Sequence, residues 1–173
     1  MNVLQLFKNI TCFVLDVDGV LTDGSLLLLD DGQQARKMNI KDGYALQLAV
    51  KKGYRILIIS GGSSEAVRLR LQRLGVTEIH FNIKNKTETL LRYVQQHNLS
   101  WPQVLYMGDD VPDLKAMQMA GLACCPEDAV PEIKAISHYA SDKKGGDGCV
   151  RDVLEKTMKL NDHWTHEEDI PSQ

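Results

Sequence analysis

Short apolar runs, each closed by a polar or glycine residue, alternate along the chain with longer stretches of helical period. Cys12-Phe13-Val14-Leu15, Arg55-Ile56-Leu57-Ile58-Ile59, Val104-Leu105-Tyr106-Met107 and Leu122-Ala123-Cys124-Cys125 are apolar at nearly every position, the pattern of strands buried on both faces. A shorter strand is expected over 79–81 and a further extended piece over 138–140. Helices are expected over 42–52, 63–74, 85–97 and 149–160, with shorter ones carrying Leu114, Met117 and Ala120 and starting at Pro131. Ala45, Leu46, Ala49 and Val50 share one face of the first helix; Gly53 closes it and Gly75 closes the second. Asn85 with Glu88 three residues on is a capping-box arrangement. Segments 25–29 and 33–39 flank Asp30-Asp31-Gly32, a hairpin signal. Strands alternating with helices at this spacing predict an α/β fold, a doubly wound, mostly parallel sheet of Rossmann-like topology. One domain is expected over 1–160, with a protruding β-hairpin at 24–39. Residues 161–173 read as a flexible polar tail.

Composition narrows the function classes. The chain has 173 residues, 43% hydrophobic and 25% charged, with a net charge of −3 and no block of lysine or arginine. A nucleic acid or an anionic membrane is therefore excluded as a partner. No run approaches a membrane span, and Met1 to Ile10 lacks the apolar stretch of a signal peptide, so a cytoplasmic protein is expected. Cys12, Cys124, Cys125 and Cys149 show no CxxC spacing and read as buried free thiols. His163 and His166 lie in the polar terminal run and read as tail residues rather than a metal pair.

The chemistry sits at strand ends. Asp16 and Asp18 follow the first apolar run, with Gly19 turning the chain away at once. Ser60, Lys86 and Asp109-Asp110 stand at three further turns into helices. In a parallel sheet all these turns fall on the carboxyl edge, where such folds bind ligands. Singly, each group has a plainer reading: a tight turn, a helix cap, a surface lysine. Together, and in this order, they describe phosphoryl transfer through an aspartyl-phosphate. A carboxylate, Asp16, attacks phosphorus, and the second, Asp18, protonates the leaving oxygen and later deprotonates water. Mg²⁺, held by hard oxygens of Asp16, Asp18 (through its backbone carbonyl) and Asp109, offsets the repulsion between anions. Ser60 and Lys86 hold the remaining phosphoryl oxygens. Asp110 and Asp113 support the metal from behind its ligands. A phospho-receiver signalling module shares these residue types. Its acceptor aspartate lies on a middle strand and its lysine comes last, whereas here the Asp-x-Asp pair is early and the lysine precedes the second acidic pair.

The motifs Asp16-x-Asp18-Gly-Val-x-Thr, Ser60-Gly, Asn85-Lys86 and Gly108-Asp109-Asp110-x-x-Asp113 resemble those of haloacid dehalogenase-superfamily phosphatases. More narrowly, Asp18 to Gly24, Lys37 to Gly43 and Gly145 to Arg151 resemble segments of the 3-deoxy-D-manno-octulosonate 8-phosphate phosphatases of lipopolysaccharide precursor synthesis. The resemblance spans residues 10 to about 155. It implies substrate binding by Asp18, Asn39, Ile40, Lys41, Asp42, Gly43, Arg70 and Lys86. Two positions depart from it. Gly62 stands where the octulosonate enzymes generally have arginine and relatives acting on nine-carbon keto acids tend to have glutamate; Gln47 stands where another arginine is usual. A phosphatase for a nonulosonate (sialic-acid-like) 9-phosphate is accordingly the alternative substrate reading.

Neither 18–60 nor 86–109 has room for an inserted cap of even ~50 residues. The site is expected to be open in one subunit. Leu26 and Leu28 face one side of the hairpin and Leu27 and Leu29 the other, more than a surface hairpin can bury on its own domain. A homo-oligomer built on the hairpin is expected, and the resemblance implies a tetramer.

Overall fold

The computed structural model describes residues 2–166 and 169–171. A six-stranded parallel sheet runs through its middle, built from β1 (Cys12–Leu15), β4 (Arg55–Ile59), β5 (Glu78–His80), β6 (Val104–Met107), β7 (Leu122–Cys125) and β8 (Tyr139–Ala140). The spatial order is β5-β4-β1-β6-β7-β8, so β1 lies in the interior with β4 and β6 on either side. The doubly wound α/β arrangement expected from the alternation of strands and helices is what forms.

Strand alternation divides the core in two. Phe13 and Leu15 join one buried cluster with α2 (Ile40–Lys51), α3 (Glu65–Arg73) and α7 (Cys149–Leu160). Cys12 and Val14 point the other way, into a second cluster with α4 (Lys86–Gln96), α5 (Leu114–Met117) and α6 (Pro131–Ile136). With both faces covered, every residue of β1, β6 and β7 is buried, which is why their sequences are continuous apolar runs. The four cysteines are buried and unpaired, as their contexts implied. Among the described residues no helix is long and apolar enough to cross a membrane.

Three features differ from the sequence expectation. A six-residue helix, α1 (Val3–Lys8), precedes β1, anchored by buried Phe7; six residues are too few for a helical period to show. The hairpin has strands of only two residues each, β2 (Leu27–Leu28) and β3 (Gln34–Ala35). The segment expected to be a free tail lies against the body over its described residues. Trp164 and Ile170 pack on the α2/α7 cluster, Lys51 Nζ is 2.8 Å from Asp169 Oδ1, and Gln47 Nε2 donates to Pro171 O at 3.0 Å. His163 takes part, its Nδ1 2.8 Å from Tyr54 OH; His166 is exposed.

Candidate active site

At the carboxyl edge of the sheet, Asp16, Asp18, Ser60, Lys86, Asp109, Asp110 and Asp113 border one cavity of about 310 Å³. Seven side chains from four segments of the sequence therefore meet where the strand ends predicted.

Asp16 prolongs β1, its backbone N–H still bonded to Met107 O, and its Oδ1 accepts from Val17 N at 2.7 Å. The chain then turns through Val17–Leu21, with Gly19 at φ +89°. Thr22 Oγ1 accepts from Gly19 N and Gly24 N, both at 3.2 Å, and holds the turn from inside. Behind it lies the Gly145-Gly146 stretch of the same chain: Gly146 N donates to Val20 O, and a side chain at Gly145 would overlap Gly19 O. The glycine-rich stretch thus supports its own chain's turn.

Lys86 opens α4 and is buried, an uncommon place for a lysine. Its Nζ lies 3.0 Å from Asp16 Oδ1 and 2.7 Å from Asp113 Oδ1. Tyr106 OH donates to the same Asp113 oxygen at 2.8 Å. Burial works against the charge on Lys86, but Asp16 and Asp113 more than offset it and hold the ammonium protonated. Ser60, buried at the end of β4, accepts from Gly62 N at 3.3 Å. Asp110 caps the following 111–113 turn through Val111 N.

Acidic crowding is the dominant electrostatic fact. Burial, then the neighbouring Asp113, pushes the Asp16 carboxyl up to about 8; burial, then Asp113 and Asp110, pushes Asp109 up to about 7. One lysine does not neutralise three crowded carboxylates, two of them buried and Asp109 half-buried. Oxygens of Asp16, Asp109 and Asp113 lie within 4.8 Å of one another, and Asp109 Oδ1 and Asp113 Oδ2 are buried without a hydrogen-bond partner. An all-oxygen cluster with orphaned acceptors suits a hard divalent cation such as Mg²⁺. The carboxylate set differs from the expected one: Asp113, expected behind the ligands, is in the cluster. The Asp18 side chain, never among the expected ligands, lies outside the cluster and pairs with Arg36; the part expected of Asp18 was its backbone carbonyl.

That arginine was not anticipated. Arg36 Nε donates to Asp18 Oδ1 at 2.6 Å and Nη2 to Oδ2 at 3.3 Å. Nothing in the local sequence of the hairpin marks Arg36 as different from the exposed Lys37 beside it; only the folding of the hairpin over the cavity pairs it.

The residues implied by resemblance to touch substrate are not gathered in this cavity, apart from Asp18 and Lys86. Asn39 caps α2, its Oδ1 accepting from Lys41 N at 2.8 Å, with Lys41 exposed. Asp42 is 2% exposed; its Oδ1 accepts from Arg151 N at 2.7 Å and so caps the start of α7, with Gly43 buried beside it. Its carboxylate is engaged by a helix end rather than presented to a ligand. Ile40 and Arg70 line a second cavity, also of about 310 Å³, between the hairpin and α3.

The haloacid dehalogenase-like hydrolase family matches residues 32–121. The 3-deoxy-D-manno-octulosonate 8-phosphate phosphatase KdsC of Escherichia coli is 30% identical over 154 residues, 89% of this chain and 82% of that protein. Its counterpart in Yersinia pestis is 29% identical over 93% of this chain and 86% of its own length. A crystal structure of the Moraxella catarrhalis 3-deoxy-D-manno-octulosonate 8-phosphate phosphatase with magnesium, phosphate and KDO superposes with a TM-score of 0.88, at 33% identity and 91% coverage of both chains. The Yersinia pestis crystal structure gives 0.91 at 28% identity, covering 99% of this chain and 91% of that one.

Proposed function

We propose that this chain, which belongs to the haloacid dehalogenase-like hydrolases, releases phosphate from 3-deoxy-D-manno-octulosonate 8-phosphate in lipopolysaccharide precursor synthesis. The observation that carries the reading is the set of Asp16, Lys86, Asp109 and Asp113 around one cavity at the sheet edge, in a chain 33% identical to an enzyme crystallised with magnesium, phosphate and KDO. The nonulosonate 9-phosphate is the competing substrate, since Gly62 and Gln47 lack the side chains that set the octulosonate enzymes apart.

In this reading Asp16 is the nucleophile. One carboxylate oxygen bonds to phosphorus as the bond from phosphorus to the sugar oxygen breaks. Asp18, two residues on and beyond the turn, gives its proton to the departing oxygen. It then takes one from the water that attacks phosphorus and frees Asp16 as phosphate leaves. Lys86 and Ser60 hold phosphoryl oxygens, and Lys86 also fixes the orientation of Asp16. Mg²⁺, held by Asp16, the Asp18 carbonyl and Asp109 with Asp113 adjoining, supplies the positive charge that lets two anions approach. Arg70 and Lys41 are the candidates for the sugar acid.

Residues 1–160 act as one catalytic domain in a cytoplasmic protein. Leu27 and Leu28 are 65% and 70% exposed on opposite faces of the hairpin, and Leu26 and Leu29 are exposed as well. Their burial supports assembly into a homotetramer, which also shields a site that no cap covers. The test is a panel of phosphorylated sugar acids and plain hexose phosphates compared by kcat/KM. Preference for the octulosonate 8-phosphate is expected; preference for a nine-carbon acid phosphate would shift the substrate, and no preference for acids would overturn the reading.

A further inference from the structure

Arg36 leaves an exposed hairpin, yet its side chain is only 5% exposed. Its Nε and Nη2 form one edge of the guanidinium, laid against both oxygens of Asp18; Nη1 donates to Gln34 O at 3.3 Å and braces the head on its own strand. A guanidinium has five N–H groups, so one on Nη1 and one on Nη2 remain beyond these contacts. Room for the head is made by Gly62, where a Cβ would sit 3.4 Å from Nη2 and 3.2 Å from Asp18 Oδ2. Arg36 does not border the phosphate-sized cavity itself. It shares a tight crevice with Asp18, Ser60 and Gly62, which do, and on its other side it lines the second cavity with Ile40 and Arg70. It is the wall between that crevice and the second cavity.

We infer that Arg36 is a specificity-determining residue, receiving the carboxylate of a phosphorylated sugar acid whose phosphate lies at Asp16; this rests on the phosphatase reading above. The fork already made with Asp18 is the geometry by which arginine recognises carboxylates, and its near-complete burial removes the competing water that weakens such pairs. A neutral sugar phosphate offers this cation nothing to bind. The absence of a side chain at 62 is part of the same arrangement, because a Cβ there would make Asp18 Oδ2 give way by a few tenths of an ångström and would abut the guanidinium.

The test compares 3-deoxy-D-manno-octulosonate 8-phosphate with glucose 6-phosphate, which has no carboxylate but whose leaving alkoxide, like that of the acid, needs the proton of Asp18. Arg36→Ala is expected to lower kcat/KM at least tenfold more for the acid than for the hexose phosphate, mainly through KM. Arg36→Lys, which keeps the charge and loses the fork, should fall between Arg36→Ala and the unmodified enzyme, and carries the comparison if Arg36→Ala does not fold. Equal losses on the two substrates would overturn it and leave Arg36 as a brace for Asp18. Failure of the substrate reading shows itself separately, as an unmodified enzyme with no preference for the acid, and the inference then falls with it.

Discussion

The Asp109 carboxylate occupies the place where a side chain on Gly19 would begin. The glycine after the first acidic pair and the aspartate after β6 are thus one steric unit, ninety residues apart in sequence. Gly19 also sits at φ +89°, where a side chain costs about 1–2 kcal/mol. Gly19→Ala is expected to lose roughly that much stability in urea unfolding. By displacing Asp109 it should also lower kcat on the order of 10²-fold. A variant with full activity would mean that Asp109 has no fixed role.

Asp16→Asn should abolish phosphate release while leaving the fold intact, since the amide retains an oxygen to accept from Val17 N. A beryllofluoride adduct of the unmodified protein should form on Asp16 and not on Asp18. Exhaustive chelation should remove activity and Mg²⁺ restore it. Because the ion relieves the crowding of Asp16, Asp109 and Asp113, Mg²⁺ should also raise the unfolding temperature. No thermal shift and no chelator sensitivity would contradict the assignment.

Lys86→Met keeps much of the volume and removes the charge between Asp16 and Asp113. Breaking a buried pair in this way costs about 3–5 kcal/mol. Activity should fall to background, and the loss of stability should shrink as the pH is lowered and the carboxylates are protonated. A Lys86→Met protein as stable as the parent at neutral pH would show that the ammonium is not what balances the cluster.

Much of this site was legible because a polar group ending an apolar run has few structural uses. Asp16, Ser60 and, one glycine on, Asp109 carried that signature, Lys86 stood at the first position of a capped helix, and the strand alternation placed them on one edge. Partnerships made across the fold were not legible. Asp42 in the first turn of α2 reads as a carboxylate at its own helix, yet it caps α7, 109 residues away. Arg36 has the same character. Trp164 and Ile170 are lone apolar residues in a polar run, too sparse for periodicity to reveal that they pack on the core.

Asp42 also makes a pH-dependent prediction. Burial pushes its carboxyl from 3.8 up to about 6, and the bond from Arg151 N only partly opposes this. With the folded value above the unfolded one, its stabilising contribution is complete below about pH 4 and is lost as the pH rises through 6. The difference amounts to roughly 3 kcal/mol. Asp42→Asn retains an acceptor for Arg151 N and cannot ionise. Relative to the parent, it should gain stability between pH 4 and 7 in denaturant titrations. A constant difference across that range would show that Asp42 does not titrate as its burial implies. A collapse of kcat/KM without any stability change would restore it to substrate binding.

The hairpin supplies the last prediction. Leu27 and Leu28 point to opposite faces of β2 and both remain exposed, so packing on its own domain explains neither. Burying two such side chains is worth on the order of 3–5 kcal/mol, and closed symmetry repeats that gain at every copy of the interface. Light scattering at micromolar concentration is expected to give about four times the 19.4 kDa chain mass. Leu27→Lys/Leu28→Lys should shift the protein towards the monomer without unfolding it, because neither side chain belongs to the core. Arg36 lies on the same hairpin, next to β3 and bound to Asp18, so a hairpin freed from its neighbours should also hold that pair less firmly. The dissociated variant is therefore expected to lose kcat/KM for the sugar acid. A monomeric parent protein would remove the assembly argument, and a dissociated variant with undiminished activity would separate assembly from catalysis.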